Sequence, residues 1–135
     1  MIAKAQNFVN GAPRLLLRAE GLAVAVASIA AFGRIDGSWL LFATLILAPD
    51  LSMLVYLAGP RLGAAAYNAV HIYLGPLALL GGAAALASPT GIAIALIWSA
   101  HIGIDRALGY VKYGDAFTST HLGRIGARSE DQARA

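Results

Sequence analysis

Gly91-Ile-Ala-Ile-Ala-Leu-Ile-Trp98-Ser-Ala-His101-Ile-Gly-Ile-Asp105-Arg106 decides how this chain is read. From Gly91 to Trp98 the stretch is almost wholly apolar and carries no charge, which is a membrane composition. His101 and Asp105 then follow four residues apart, so a helix stacks them on one face, one turn above the other. Ionisable groups inside such a segment are costly and face protein or water rather than lipid. The stretch therefore predicts an intramembrane polar site, provided that other helices bring polar groups to the same depth.

The rest of the chain has the composition to supply those helices. Of its 135 residues 59% are hydrophobic and 13% are charged, and the mean hydropathy is +0.68. A soluble domain would carry roughly 25% charged residues. So short a chain cannot bury this much apolar surface in a core of its own, and lipid must solvate much of it. Cysteine is absent, which excludes a disulfide framework and a thiolate metal site. The net charge of +3 lies almost wholly outside the apolar runs. It reads as an orientation signal with a preference for anionic headgroups, and nucleic-acid binding is not expected.

Four apolar runs are expected to form four membrane-spanning helices, about residues 15–32, 39–57, 62–86 and 89–110. The first follows Pro13, a residue suited to a helix start, and carries Arg18 and Glu20. Its basic beginning and small-residue end imitate a signal peptide, but Glu20 interrupts the run, so a retained span is expected. The second is broken by Pro49-Asp50; Pro49 lacks an N–H, leaves the Leu45 carbonyl unpaired and is expected to kink the helix. The third follows the tight turn Gly59-Pro60-Arg61 and carries Asn68, His71, Tyr73 and Pro76. The fourth starts at Ser88-Pro89, with a hydroxyl at the cap and proline in the first turn. The expected organisation is a short segment over 1–12, a transmembrane domain over 13–110 and a polar tail over 111–135, its last eight residues disordered.

Charge placement predicts the orientation. Lys4, Arg14, Arg18, Arg61, Arg106, Lys112, Arg124, Arg128 and Arg134 fall on one side of a four-span topology, and Arg34 alone on the other. Under the positive-inside rule both termini are cytoplasmic. The fold class expected is all-α, a polytopic four-helix bundle in a bacterial inner membrane. Gly and Ala are abundant in every run and suit close approach between membrane helices.

Depth singles out the candidate site. At ~1.5 Å per helical residue, Glu20, Asp50, Asn68, His71, His101 and Asp105 all fall roughly 7–15 Å from the cytoplasmic end. No ionisable residue falls in the outer half of a span. Asp50, His71, His101 and Asp105 are the candidate metal or proton ligands, with Glu20, Asn68 and Tyr73 around them. Imidazole and carboxylate donors suit Zn, Fe or Mn, and a bound metal can activate water for hydrolysis of a membrane-derived substrate.

Pro49-Asp-Leu-Ser-Met-Leu-Val-Tyr-Leu-Ala-Gly-Pro-Arg61, Tyr67-Asn-Ala-Val-His-Ile-Tyr73, His101-Ile-Gly-Ile-Asp-Arg106 and Thr120-His-Leu-Gly123 together resemble an uncharacterised family. It is a domain-of-unknown-function family of small bacterial four-helix membrane proteins. The resemblance covers roughly residues 14–123. It implies a bacterial integral membrane protein and carries no activity.

The same residues support other readings. Carboxylates and imidazoles relay protons or coordinate a transported ion, although no inverted repeat is visible and a homo-oligomer would have to supply the pore. A structural subunit of a larger membrane complex would use the cluster as a hydrogen-bonded network that sets helix register. Haem is disfavoured, because both histidines lie near one depth without paired spacing. Arg106 follows Asp105 directly, so it points away from that face; with Arg14 and Arg61 it is expected to reach the headgroups. Trp39 and Tyr110 suit an aromatic belt, Trp98 is expected to pack beside the site, and His121 to be solvated.

Overall fold

The computed structural model describes residues 11–109, together with 119–120 and 123–124. The expectations placed on residues 1–10, on Tyr110 and Lys112, on His121 and on the last eight residues lie outside this range. Helix α1 runs over Ala12–Arg34, α2 over Trp39–Leu45, α3 over Pro60–Val70, α4 over Leu74–Ala85 and α5 over Pro89–Leu108. A 3-10 helix, Ala48–Ala58, continues α2. A two-residue antiparallel pairing joins β1 (Ser119–Thr120) to β2 (Gly123–Arg124). Four helical stretches are long and apolar enough to cross a membrane: Ala12–Arg34, Trp39–Ala58, Pro60–Ala85 and Pro89–Leu108.

Helix α5 is the axis of the bundle, contacting α1, α2 and α4, while α3 packs on the 3-10 helix. Its inward residues Ala93, Ala95, Ile97, Ala100 and Ile102 are buried. Near its start, Phe32, Ala93 and Ile97 form a core closed by Leu41, Phe42 and Leu45. There Phe32 meets Trp39 and Phe42 edge-on, each at a centroid distance of 5.1 Å, the arrangement that the ring quadrupoles favour. Near its end α5 runs antiparallel against α1 through glycine. A Cβ on Gly103 would stand 2.6 Å from the Gly21 carbonyl oxygen and 2.7 Å from the Ala25 nitrogen. Leu15, Leu16, Leu54, Leu57, Leu74 and Leu86 remain exposed, the outward face that lipid would cover.

Two spans are broken, and both breaks follow from proline. In the second, α2 stops at Leu45 and Asp50 donates its N–H to Leu47, three residues back. The 3-10 geometry, rare beyond 3–4 residues, lengthens the segment to ~2.0 Å per residue. The third span, expected over about 62–86, is present as Pro60–Ala85 and turns at His71-Ile-Tyr73, between α3 and α4. That interruption seats Pro76 in the first turn of α4, where the N–H it lacks would have had no helical partner.

The Ser88 hydroxyl accepts from the Gly91 N–H at 3.2 Å and caps α5. Ser88→Ala is expected to lower stability by about 1 kcal/mol, measurable as a shift in thermal unfolding of the detergent-solubilised chain.

Candidate metal centre

The interruptions in the second and third spans place the polar side chains. Asp50 stands in the first turn of the 3-10 helix and His71 immediately after α3. His101 and Asp105 lie one turn apart in α5, both buried. One donor atom from each of the four lies within 4.8 Å of all the others. The Nε2 atoms of His71 and His101 are 3.1 Å apart. His71 Nε2 is 3.4 Å from Asp50 Oδ1 and 3.4 Å from Asp105 Oδ2. His101 Nε2 is 3.4 Å from Asp50 Oδ1 and 3.5 Å from Asp105 Oδ2.

The other nitrogen of each ring explains why the Nε2 atoms face inward. Helix α2 has ended, so no backbone N–H reaches Ile46 from Asp50, and the Ile46 carbonyl accepts from His101 Nδ1 at 2.6 Å. His71 Nδ1 lies 2.7 Å from the Tyr67 carbonyl, at the end of α3. A carbonyl can only accept, so each Nδ1 carries its ring's proton. In the neutral rings both Nε2 atoms then present lone pairs to the same point.

Tyr67 completes the arrangement. Its hydroxyl donates to Asp105 Oδ2 at 2.8 Å. Its ring stacks on His71, with centroids 3.7 Å apart and planes 10° from parallel. Trp98 donates its indole N–H to the Val70 carbonyl at 2.8 Å, which fixes the bend next to His71. Of the four residues only Asp50 is substantially exposed, at 36% of its side chain.

Two lone pairs and two carboxylates at these separations repel one another unless something positive sits among them. A proton shared between the imidazoles suits 3.1 Å, but charge-assisted bonds to carboxylate close to about 2.7–2.9 Å. The nitrogen–carboxylate separations are 3.4–3.5 Å. Five of the six separations in the group, 3.1–3.5 Å, are near the edge length of a tetrahedron whose corners lie ~2.1 Å from its centre, the bond length of nitrogen or oxygen to zinc, and the two carboxylate oxygens lie within 4.8 Å of each other. The four residues thus have the donor types and the closeness that a metal ion needs.

The remaining candidates lie elsewhere. Glu20 is exposed on α1 and lines a surface pocket with Tyr73 and Arg106. The Tyr73 hydroxyl and the Asn68 side-chain oxygen are buried without a hydrogen-bond partner, so neither bonds to the four-residue group. Tyr67 was not singled out from the sequence, although its position four residues before His71 is the helical spacing that stacks two rings. The two carbonyls that orient the imidazoles have no sequence signal of their own.

A family model described as a domain of unknown function (DUF4260) matches residues 14–125. The chain belongs to this family. No curated protein and no solved structure gives a match to it.

Proposed function

We propose that this member of the DUF4260 family is an integral membrane protein that holds a divalent metal ion on Asp50, His71, His101 and Asp105. The observation that carries the reading is the pair of Nε2 atoms 3.1 Å apart, each ring oriented by a carbonyl on its far side. Orientation of a metal-binding histidine by a carbonyl behind it is the usual outer support of such sites. Two nitrogens and two oxygens suit Zn, Fe or Mn. A haem between the histidines would require axial nitrogens ~4 Å apart on opposite faces of a ring; 3.1 Å leaves no room for it.

The bilayer is the environment that the four apolar stretches fit. The distribution of Lys and Arg, nine on one side and one on the other, supports a placement with both termini cytoplasmic in a bacterial inner membrane. The metal then lies in the inner half of the membrane.

Metal-assisted hydrolysis of a membrane-derived substrate is the activity this arrangement suits best. An apolar cleft of about 200 Å³, lined by Leu45, Pro49, Val70, Ile97 and Trp98, adjoins the cluster through the neighbours of Asp50 and His71. It suits an alkyl chain beside the metal. A divalent ion held by these residues would lower the pKa of a bound water and polarise an ester or amide carbonyl. Asp50, the exposed ligand, is the one able to yield its place to water. The buried pair His101 and Asp105 and the Tyr67 hydroxyl hold the opposite side fixed.

Metal analysis of the purified wild type and of His71→Ala tests the reading. About one ion per chain is expected in the wild type and none above background in the variant; a metal-free wild type removes the proposal. Tyr67→Phe keeps the ring and removes the hydroxyl's hydrogen bond to Asp105, and is expected to weaken metal binding about 10–100-fold, measured by competition with a chelating dye. If the site instead passes ions through an oligomer, proteoliposomes show flux that Asp50→Asn abolishes, and no hydrolysis.

A further inference from the structure

On the flank of α1, away from the metal cluster, Leu17, Glu20, Ala23, Val24, Tyr73 and Arg106 surround a half-open pocket of about 380 Å³. The Arg106 guanidinium lies over the Tyr73 ring, 4.9 Å from its centroid. Arg106 Nε and the Tyr73 hydroxyl are both buried without a hydrogen-bond partner. Glu20 is exposed and forms no ion pair with a described residue. An arginine and a glutamate that line one pocket would ordinarily close on each other; here neither forms an ion pair among the described residues.

From this pocket we infer a binding site for a phosphoethanolamine group carried on a lipid. Arg106 supplies a planar fork of N–H donors suited to a phosphate. Glu20 offers carboxylate oxygens to an ammonium. Leu17, Ala23 and Val24 continue the wall as an apolar surface for the glyceride and the start of a chain. An acidic headgroup without an amine would meet the Glu20 carboxylate uncompensated. A quaternary ammonium would find no aromatic cage, because the Tyr73 face is covered by Arg106. Arg106 lies three residues before Gly109, the C-cap of α5, where the headgroups of a bilayer would begin. The inference rests on the bilayer reading above and is independent of the metal.

Native mass spectrometry of the full chain in detergent, titrated with phosphatidylethanolamine, phosphatidylcholine and phosphatidylglycerol of matched chains, tests it. The wild type is expected to prefer phosphatidylethanolamine about tenfold. Glu20→Gln alters an exposed side chain and should fold; it is expected to erase that preference. Arg106→Gln is expected to abolish retention of the lipid. Asp50→Asn, which weakens the donor set and leaves the Ile46 carbonyl paired with His101, is expected to leave lipid selectivity intact, so failure of one reading does not imitate failure of the other. Equal retention of all three lipids by the wild type overturns the inference, as does a preference that survives Glu20→Gln. Soluble O-phosphoethanolamine that binds where the lipid does not overturns the lipid as the source.

Discussion

His101→Ala is expected to destabilise the protein more in the presence of zinc than in its absence, and to make melting indifferent to chelator. The side chain contributes two separable things. Its Nε2 is one of the four donors, separated from the other three by 3.1–3.5 Å. A ligand present at 100 times its dissociation constant adds about 2.7 kcal/mol to the folded state, and loss of that donor removes this share. Its Nδ1 satisfies the Ile46 carbonyl at 2.6 Å. That carbonyl is left without a partner in the variant, at a further cost of about 1–3 kcal/mol. Asp50→Asn separates the two, since it weakens the donor set and leaves the Ile46 carbonyl paired. Its loss is expected to vanish in chelator, whereas part of the His101→Ala loss persists there. Thermal unfolding of both variants and the wild type, with zinc and with chelator, reads all of this. A wild type whose melting ignores chelator contradicts the metal reading outright.

The two breaks that produce this geometry were only half legible in the sequence. Pro49 announces an interruption, because a residue without an N–H cannot continue the ladder. It does not announce that the chain will carry on as a 3-10 helix over Ala48–Ala58, nor that Ile46 rather than Leu45 will provide the carbonyl for His101. The bend at His71-Ile-Tyr73 has no signal beyond Pro76, three residues further on. The four spans, by contrast, are plain from hydropathy, since bilayer thickness sets their length.

Depth explains why some candidates converge and others do not. His101 and Asp105 share a face by spacing alone, and depth was enough to bring Asp50 and His71 to their level. Glu20 lies on α1 and opens onto the pocket beside Arg106, not onto the metal cluster. Depth is one coordinate, and the direction around the helix is another that hydropathy does not record. Where that direction follows from adjacency it was readable: Arg106 comes directly after Asp105 and therefore leaves its face, toward Tyr73.

Gly103→Ala is expected to lower stability whereas the same change at Gly82 raises it slightly, though both add one methyl to a glycine within a helix. At Gly82 a Cβ meets nothing within 4 Å, so the methyl gains helix propensity, about 0.5–1 kcal/mol in favour of alanine. At Gly103 it would stand 2.6 Å from the Gly21 oxygen and 2.7 Å from the Ala25 nitrogen. Those atoms are backbone and cannot turn aside as a side chain would, so α1 must move away as a whole. A loss near the upper end of the 1–3 kcal/mol usual for overpacking follows, with the Arg18 to Ala107 hydrogen bond of 2.6 Å also stretched. Gly103 lies two residues from both His101 and Asp105, roughly 200° around α5 from each. The displacement therefore falls on the side opposite the metal donors. The folded Gly103→Ala protein should keep its metal stoichiometry while its melting temperature drops, the reverse of the pattern expected for Asp50→Asn in chelator. Equal melting of the Gly103→Ala and Gly82→Ala proteins would mean that α1 does not pack on α5 through its glycines.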